Sequence, residues 1–497
     1  GNEGSEPFLV GSPSTEDGAI SVAALDDRAT YPGATLAIRS DHSTYSDVTS
    51  GGTAVTFLNT NVFALGDSYL GRPIVKVAHT TASAGYEEDY TLDGYALGCP
   101  DTGAGGTTYT QDWDTSASFE GDIVVIRRGD CTFADKVAAM TAKGAEGVII
   151  LQKKSVLDGG DQTTYPPFQG PDTPTAEIPV LMANGVAEAA LSLRLDGELT
   201  WIKPLAAGLA NPNYHTVADF SSGGPRWGDL ALKPEIAAPG VDIVSAASGS
   251  TDGVAWFSGT SMATPVVAGV AALVRQANPT WTPSLIKSAL INTATSVGSE
   301  IPLRSVGAGR VNALNAVKAK VTIDAGPNAT LSYGMVFGDA SAALTRNLTF
   351  KVTNKGTTSA SYKFAVAAAT GFAIPYGVTL KLYNGSTLLT SSTSVTIGAG
   401  ASKTLTLRLA ATVAGQKRFA PQYNLDPTDG LISELSGALN AVVTATSSGK
   451  PTLRLPVIGF LRHTERFSFS EAAGTLSGSI TSGTNDAQKA DGTGLDL

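Results

Sequence analysis

Ser261 stands in the run Gly259-Thr260-Ser261-Met262-Ala263-Thr264-Pro265-Val266-Val267-Ala268-Gly269, where a nucleophile would sit. Behind it, Met262 to Val274 is small and apolar almost throughout, with the length and composition of a buried helix. A serine on the tight turn entering such a helix presents its hydroxyl outward. Its backbone N–H aims at the same spot, and the positive end of the helix dipole favours a developing oxyanion there. Gly259 and Thr260 supply the turn. Pro265 is expected in the first turns, where backbone N–H groups lack helical partners.

The elements that position Ser261 follow from the rest of the pattern. All eleven residues from Gly259 to Gly269 agree, without a gap, with the serine signature of the subtilisin-like serine proteases (subtilases, peptidase family S8), which this block resembles. In that family the catalytic groups come in the chain order Asp, His, Ser. A Gly-Asn-x-Gly motif at the end of a core strand supplies the oxyanion-hole asparagine. Gly1-Asn2-Glu3-Gly4 matches that motif, and Gly18 to Ala24 matches the loop and strand that follow. The resemblance therefore implies Ser261 as nucleophile and Asn2 as oxyanion donor.

Ala218 to Pro225 and Leu232 to Ile243 continue the pattern, and Gly307 to Ala313 with Ala316-Val317 resembles the end of the core. Lys233 and Glu235 could be an acid/base pair; they read instead as surface or loop-anchoring charges. Thr282 is a fair N-cap with Pro283 at the first helical position, which predicts a second helix there.

Between the two core segments, residues 31–205 have a different texture. Gly121 to Ile126 predicts a short buried strand, and Arg127 to Phe133 a turn. Ala134 to Lys143 predicts an amphipathic helix with Lys136 and Lys143 outward. Val148 to Leu151 and Ile178 to Met182 predict two more strands. This order, with Arg-Gly-Asp-Cys-Thr-Phe and Lys-Gly-Ala-Glu-Gly-Val, resembles the protease-associated (PA) domain that several subtilases carry at this place.

From residue 321 short alternating strands separated by Gly, Ser and Asn turns predict a β-sandwich. Its placement resembles the fibronectin-III-like domain that follows many PA-containing subtilases. The expected organisation is a core segment at 1–30, the PA domain at 31–205, a core segment at 206–320, the sandwich at 321–462 and a flexible tail at 463–497. The fold class is multidomain α/β plus β, with a partial parallel-sheet subtilisin-like core. Sequons occur at Asn328, Asn347 and Asn384.

The chain has 497 residues, a net charge of -10 and no basic cluster, which argues against nucleic-acid binding. No uninterrupted apolar run is long enough to span a membrane. Cys99 and Cys131 are too few and too far apart for a zinc site; a disulfide and two free thiols both stay open. The resemblance implies a protein or peptide substrate, an extracellular or cell-envelope location and no cofactor for the chemistry. Structural calcium is common in the family, but no acidic loop here names its ligands. Oligomeric state is not legible.

The family's Asp and His motifs are not in this chain and are expected upstream of Asn2. Of the four histidines, His42, His79, His215 and His463, none sits in a His-Gly-Thr-His helix start, and all read as partly exposed loop residues. Three readings follow. The chain is the C-terminal portion of a secreted subtilase, inactive alone. Or it is a non-catalytic module binding peptide or cell-surface material. Or it is a hydrolase with a base other than histidine. Without the rest of the core, the strand following Asn2 and the helix behind Ser261 are expected to expose apolar faces.

Overall fold

The computed structural model describes residues 1–39, 45–50, 52–59, 70–80, 95–102, 106, 108–109, 112–152, 178–191, 198–249, 251, 253–421, 438–463, 466–472 and 475–481. They fall into two units. One comprises residues 1–27, 215–241 and 259–497; the other comprises 28–214 and 242–258. In chain order, the elements around the candidate site and the disulfide are strand β1 (Val22–Asp26), helix α1 (Phe133–Thr141), strand β2 (Ile236–Pro239), helix α2 (Thr260–Ala277) and helix α3 (Pro283–Asn292).

In the first unit, β1 runs parallel to β2 with Val22 opposite Ile236 and Leu25 opposite Pro239. Thr216–Val217 pairs antiparallel along the other side of β1. Every residue of β1 is buried. Val22 and Ala24 meet Ile236, Ala238 and helices α2 and α3 on one face. Ala23 and Leu25 meet Ala237, Val297 and Val306 on the other. A parallel strand covered on both faces reads as an unbroken apolar run, which is how Val22 to Leu25 reads. Its two alanines let a helix approach closely.

Helix α2 buries Ala263, Val267, Val270 and Val274, spaced so that they share one side. Thr264, Pro265, Ala268, Gly269, Ala272 and Leu273 are exposed. The expected buried helix is thus buried on one side only, because no described residue covers the other. Pro265 also departs from expectation. It is the sixth helical residue, so its missing N–H deprives the Ser261 carbonyl of an i+4 donor. Helix α3 starts as predicted, with Thr282 Oγ1 accepting from Leu285 N–H at 3.3 Å and Pro283 in the first position.

Downstream lie two sheets. One orders Val321–Asp324, Leu344–Asn354, Ser402–Ala411, Val378–Asn384 and Thr387–Leu389. The other orders Leu331–Gly338, Leu453–His463, Ala438–Thr446, Ala360–Ala368 and Ser394–Ile397. Val352, Leu405 and Leu407 of the first meet Phe364, Val443 and Leu455 of the second in one apolar cluster. Asn292, at the end of α3, ties both sheets to the helix. Its Oδ1 accepts from Ile323 N–H at 2.6 Å, and its Nδ2 donates to the Arg454 carbonyl at 3.1 Å. The expected flexible tail instead opens with a hairpin, Arg466–Ala472 with Thr475–Thr481. The alternation of Phe467 and Phe469 with serines is a strand pattern that the high Ser and Gly content obscures. Residues 482–497 lie outside the described residues.

In the second unit, Leu70–Lys76, Ile123–Arg127, Gly147–Leu151 and Val180–Ala183 run parallel in that order. Leu199–Ala210 pairs with both Leu70–Lys76 and Thr30–Arg39, so the sheet closes on itself through Thr56–Asn59. Thr132 caps α1 by accepting from Asp135 N–H at 3.1 Å. The buried side of α1 carries Phe133, Lys136, Val137 and Met140. Lys136 therefore points inward, against expectation, and is fully buried. Its place three residues after Phe133 puts it on the apolar stripe. Cys99 and Cys131 form a disulfide.

No helix among the described residues is long and apolar enough to cross a membrane. No group of three or more His, Cys, Asp or Glu among them could hold a metal ion.

Candidate active site

The turn into α2 is held by backbone bonds from the strand ends. Gly240 N–H donates to the Leu25 carbonyl at 2.9 Å, and Gly259 N–H donates to the Gly240 carbonyl at 2.7 Å. A Cβ on Gly240 would lie 2.6 Å from Ala24 Cβ and 3.0 Å from the Gly259 carbonyl oxygen. Only glycine lets these three segments close together at that point.

Asn2 is brought to the same turn. Its Oδ1 accepts from Thr260 N–H at 3.0 Å and from Thr260 Oγ1 at 2.8 Å. With both acceptor positions occupied, the amide is oriented, and Nδ2 makes no hydrogen bond among the described residues. A Cβ on Gly259 would stand 3.2 Å from that Nδ2. Ser261 is exposed, and neither its N–H nor its hydroxyl is bonded among the described residues.

Asn2 is fixed by a segment that the sequence pattern contains but whose role it does not reveal. Ser222 N–H donates to the Gly1 carbonyl at 3.0 Å, and Glu3 N–H donates to Ser222 Oγ at 3.0 Å. Gly4 N–H donates to the Phe220 carbonyl at 2.9 Å. Ser221 Oγ accepts from Ala24 N–H at 3.1 Å, which joins this clamp to β1. No spacing rule points to Ser221 and Ser222 in this role; short hydroxyl side chains beside glycines are the only sign.

The loop between Asn2 and β1 rests on a buried charge cluster. Glu235 Oε1 lies 2.6 Å from Lys287 Nζ and 3.1 Å from Lys233 Nζ. Glu235 Oε2 accepts from Ser21 N–H at 2.9 Å. Lys233 donates to the Glu16 and Ala19 carbonyls, and Lys287 to those of Asp17 and Ala19. Lys233 and Glu235 are not surface charges, as each is 0% exposed. Their loop-anchoring is what permits that burial, since two backbone carbonyls accept from each ammonium and the Glu235 carboxylate stands beside both. Burial pushes Glu235 above the usual carboxylate range, against the pull of Lys233 and Lys287. Burial pushes Lys233 down, against the pull of Glu235.

The histidines go elsewhere. His215 Nε2 lies 2.9 Å from Asp27 Oδ1, and Arg310 pairs with the same carboxylate. His79 Nδ1 lies 3.6 Å from Asp112 Oδ2. His463 is buried on the strand Leu453–His463 rather than in an exposed loop, because its strand runs on past Val457. His42 lies outside the described residues.

An exposed hydroxyl flanked by two unengaged donors at a helix start suits serine-type acyl transfer, provided a base is supplied. The chain belongs to the subtilase family, a family of serine-type peptidases, whose model matches residues 1–309. It is similar to the minor extracellular protease Vpr of Bacillus subtilis (strain 168), at 31% identity over 284 residues, covering 55% of this chain and 31% of that protein. It is also similar to the subtilisin-like protease SBT3.11 of Arabidopsis thaliana, at 53% identity over 85 residues, covering 16% of this chain and 11% of that protein. The chain thus spans less than a third of the length of these relatives. Among solved structures, the psychrophilic subtilisin-like protease Apa1 from the Antarctic Pseudoalteromonas sp. AS-11 aligns over 64% of this chain and 62% of its own, at 17% identity and a TM-score of 0.22.

Proposed function

We propose that this chain is the C-terminal portion of a secreted subtilisin-like serine endopeptidase. Ser261 attacks the scissile carbonyl and forms the acyl-enzyme, while Asn2 Nδ2 and Ser261 N–H receive the oxyanion. The observation that carries this reading is the double use of Asn2 Oδ1 by Thr260, which leaves Nδ2 as the outward donor. The residues from 31 to 205 read as a PA domain, and the two C-terminal sheets as a fibronectin-III-like sandwich. The base and its orienting carboxylate come from a segment outside this chain, so the chain alone is inactive. The exposed apolar side of α2 supports that reading, because a layer packed there would complete the cover of the helix.

A fluorophosphonate probe tests both halves. The isolated chain stays unlabelled at Ser261, and an adduct there would overturn the claim that it lacks a base. In the longer protease carrying the Asp and His motifs, labelling appears and Ser261→Ala abolishes it. Asn2→Ala lowers kcat there by about 100- to 1000-fold with KM little changed, the range found for loss of this donor in subtilisin. A kcat within about threefold of the parent would remove Asn2 from the oxyanion hole.

A further inference from the structure

We propose that the Cys99–Cys131 pair is a thiol–disulfide exchange site, in which an external thiolate attacks Cys131 Sγ and Cys99 leaves as a thiolate beside the Lys136 ammonium. Lys136 Nζ lies 3.4 Å from Cys99 Sγ and donates to the Leu97 carbonyl at 2.6 Å. No other side chain of α1 is so placed against a sulfur. The two sulfurs are not equivalent. Cys99 is 0% exposed and Cys131 8% exposed, so attack comes at Cys131. The leaving group is then the sulfur that faces the cation.

Exchange is faster when the leaving thiol is more acidic, and a lysine at this distance makes it so. Burial pulls Lys136 down to about 7, against Asp112 and Asp130, which pull it up, and with Arg128, which adds to the fall. A new anion at Cys99 restores the ammonium. Cys131 directly precedes Thr132, the N-cap of α1, so its own thiolate also lies at the favourable end of a helix.

The balance is that of a dithiol reductant. One reductant thiolate bonds to Cys131 Sγ, and the Cys99–Cys131 bond breaks with its electron pair on Cys99. The second reductant thiolate then attacks the reductant sulfur of the mixed disulfide and releases Cys131, which takes a proton from solvent. The protein disulfide gains two electrons and the dithiol loses two.

The test treats the folded chain with reduced glutathione, quenches with iodoacetamide and maps the adducts by mass spectrometry. Glutathione is expected on Cys131 and the alkyl group on Cys99; glutathione on Cys99 would overturn the assignment. Lys136→Met is expected to slow reduction by dithiothreitol at pH 6, below the point where Lys136 discharges, by about tenfold, because the departing Cys99 thiolate loses its cation. A turn loosened by the substitution would speed reduction instead, so a folding defect and the lost cation move the rate in opposite directions. A Lys136→Met rate equal to or above that of the unaltered chain sinks the proposal. So does reduction of the unaltered chain no faster than its global unfolding.

Discussion

Replacing Glu235 by glutamine isolates the charge at the centre of the buried cluster. Gln keeps an oxygen for the Ser21 N–H and nearly the same volume, so packing and that bond are preserved. What goes is the anion 2.6 Å from one ammonium and 3.1 Å from another. At an effective dielectric of 20 those separations correspond to gross attractions of about 6 and about 5 kcal/mol. Most of that offsets the cost of burying three charges. The net loss on removing one partner is therefore about 3–5 kcal/mol, set by the cations left unpaired. The loss has a ceiling, because Lys233 can discharge. Its folded pKa already lies below that of a free lysine. Between those two values the unfolded chain binds more protons than the folded one, so stability rises with pH. Removing Glu235, which opposes that fall, widens the window downward. The gap between the two chains should be widest near pH 7 and narrow toward pH 10. Urea titrations read by hydrogen exchange in peptides spanning β1 and α3, at pH 7 and pH 9.5, measure it. A loss under about 1 kcal/mol at pH 7, or a gap that grows with pH, would refute the reasoning.

Two further substitutions probe how the site is held. Gly240→Ala drives a methyl to 2.6 Å from Ala24 Cβ, so an overpacking cost of about 1–3 kcal/mol is expected, with faster hydrogen exchange at the start of α2. Asn292→Leu leaves the Ile323 N–H and the Arg454 carbonyl without their partner, at about 1–3 kcal/mol each. It should split the thermal transition of the first unit, which calorimetry would show.

The elements nearest the chemistry were legible because their sequence obeys local rules. Val22 to Leu25 is apolar without a break, and β1 is covered on both faces. Thr282-Pro283 starts α3 where a cap and a first-turn proline say it should. The glycines at 240 and 259 mark close approaches, although only the fold shows what approaches. The clamp on Asn2 was not legible in this way. Ser221 and Ser222 lie more than two hundred residues further along the chain, and no periodicity links a hydroxyl to a partner at that separation.

The lysines show where a sequence pattern misleads and why. A charged side chain within an apolar stripe is ordinarily assigned to the solvent side, since burying a lone ammonium costs several kcal/mol. Backbone carbonyls offset part of that cost, Leu97 for Lys136 and Glu16, Asp17 and Ala19 for Lys233 and Lys287, although burial still pulls Lys136 and Lys233 below the usual lysine range. Those carbonyls belong to irregular loops, which have oxygens to spare because their backbone is not committed to a ladder. A lysine at a stripe position opposite an irregular, glycine-rich loop is thus better read as a loop anchor than as a surface charge. Lys136 met the stripe condition in the sequence, three residues after Phe133 and four before Met140, and only the identity of the residue argued against it.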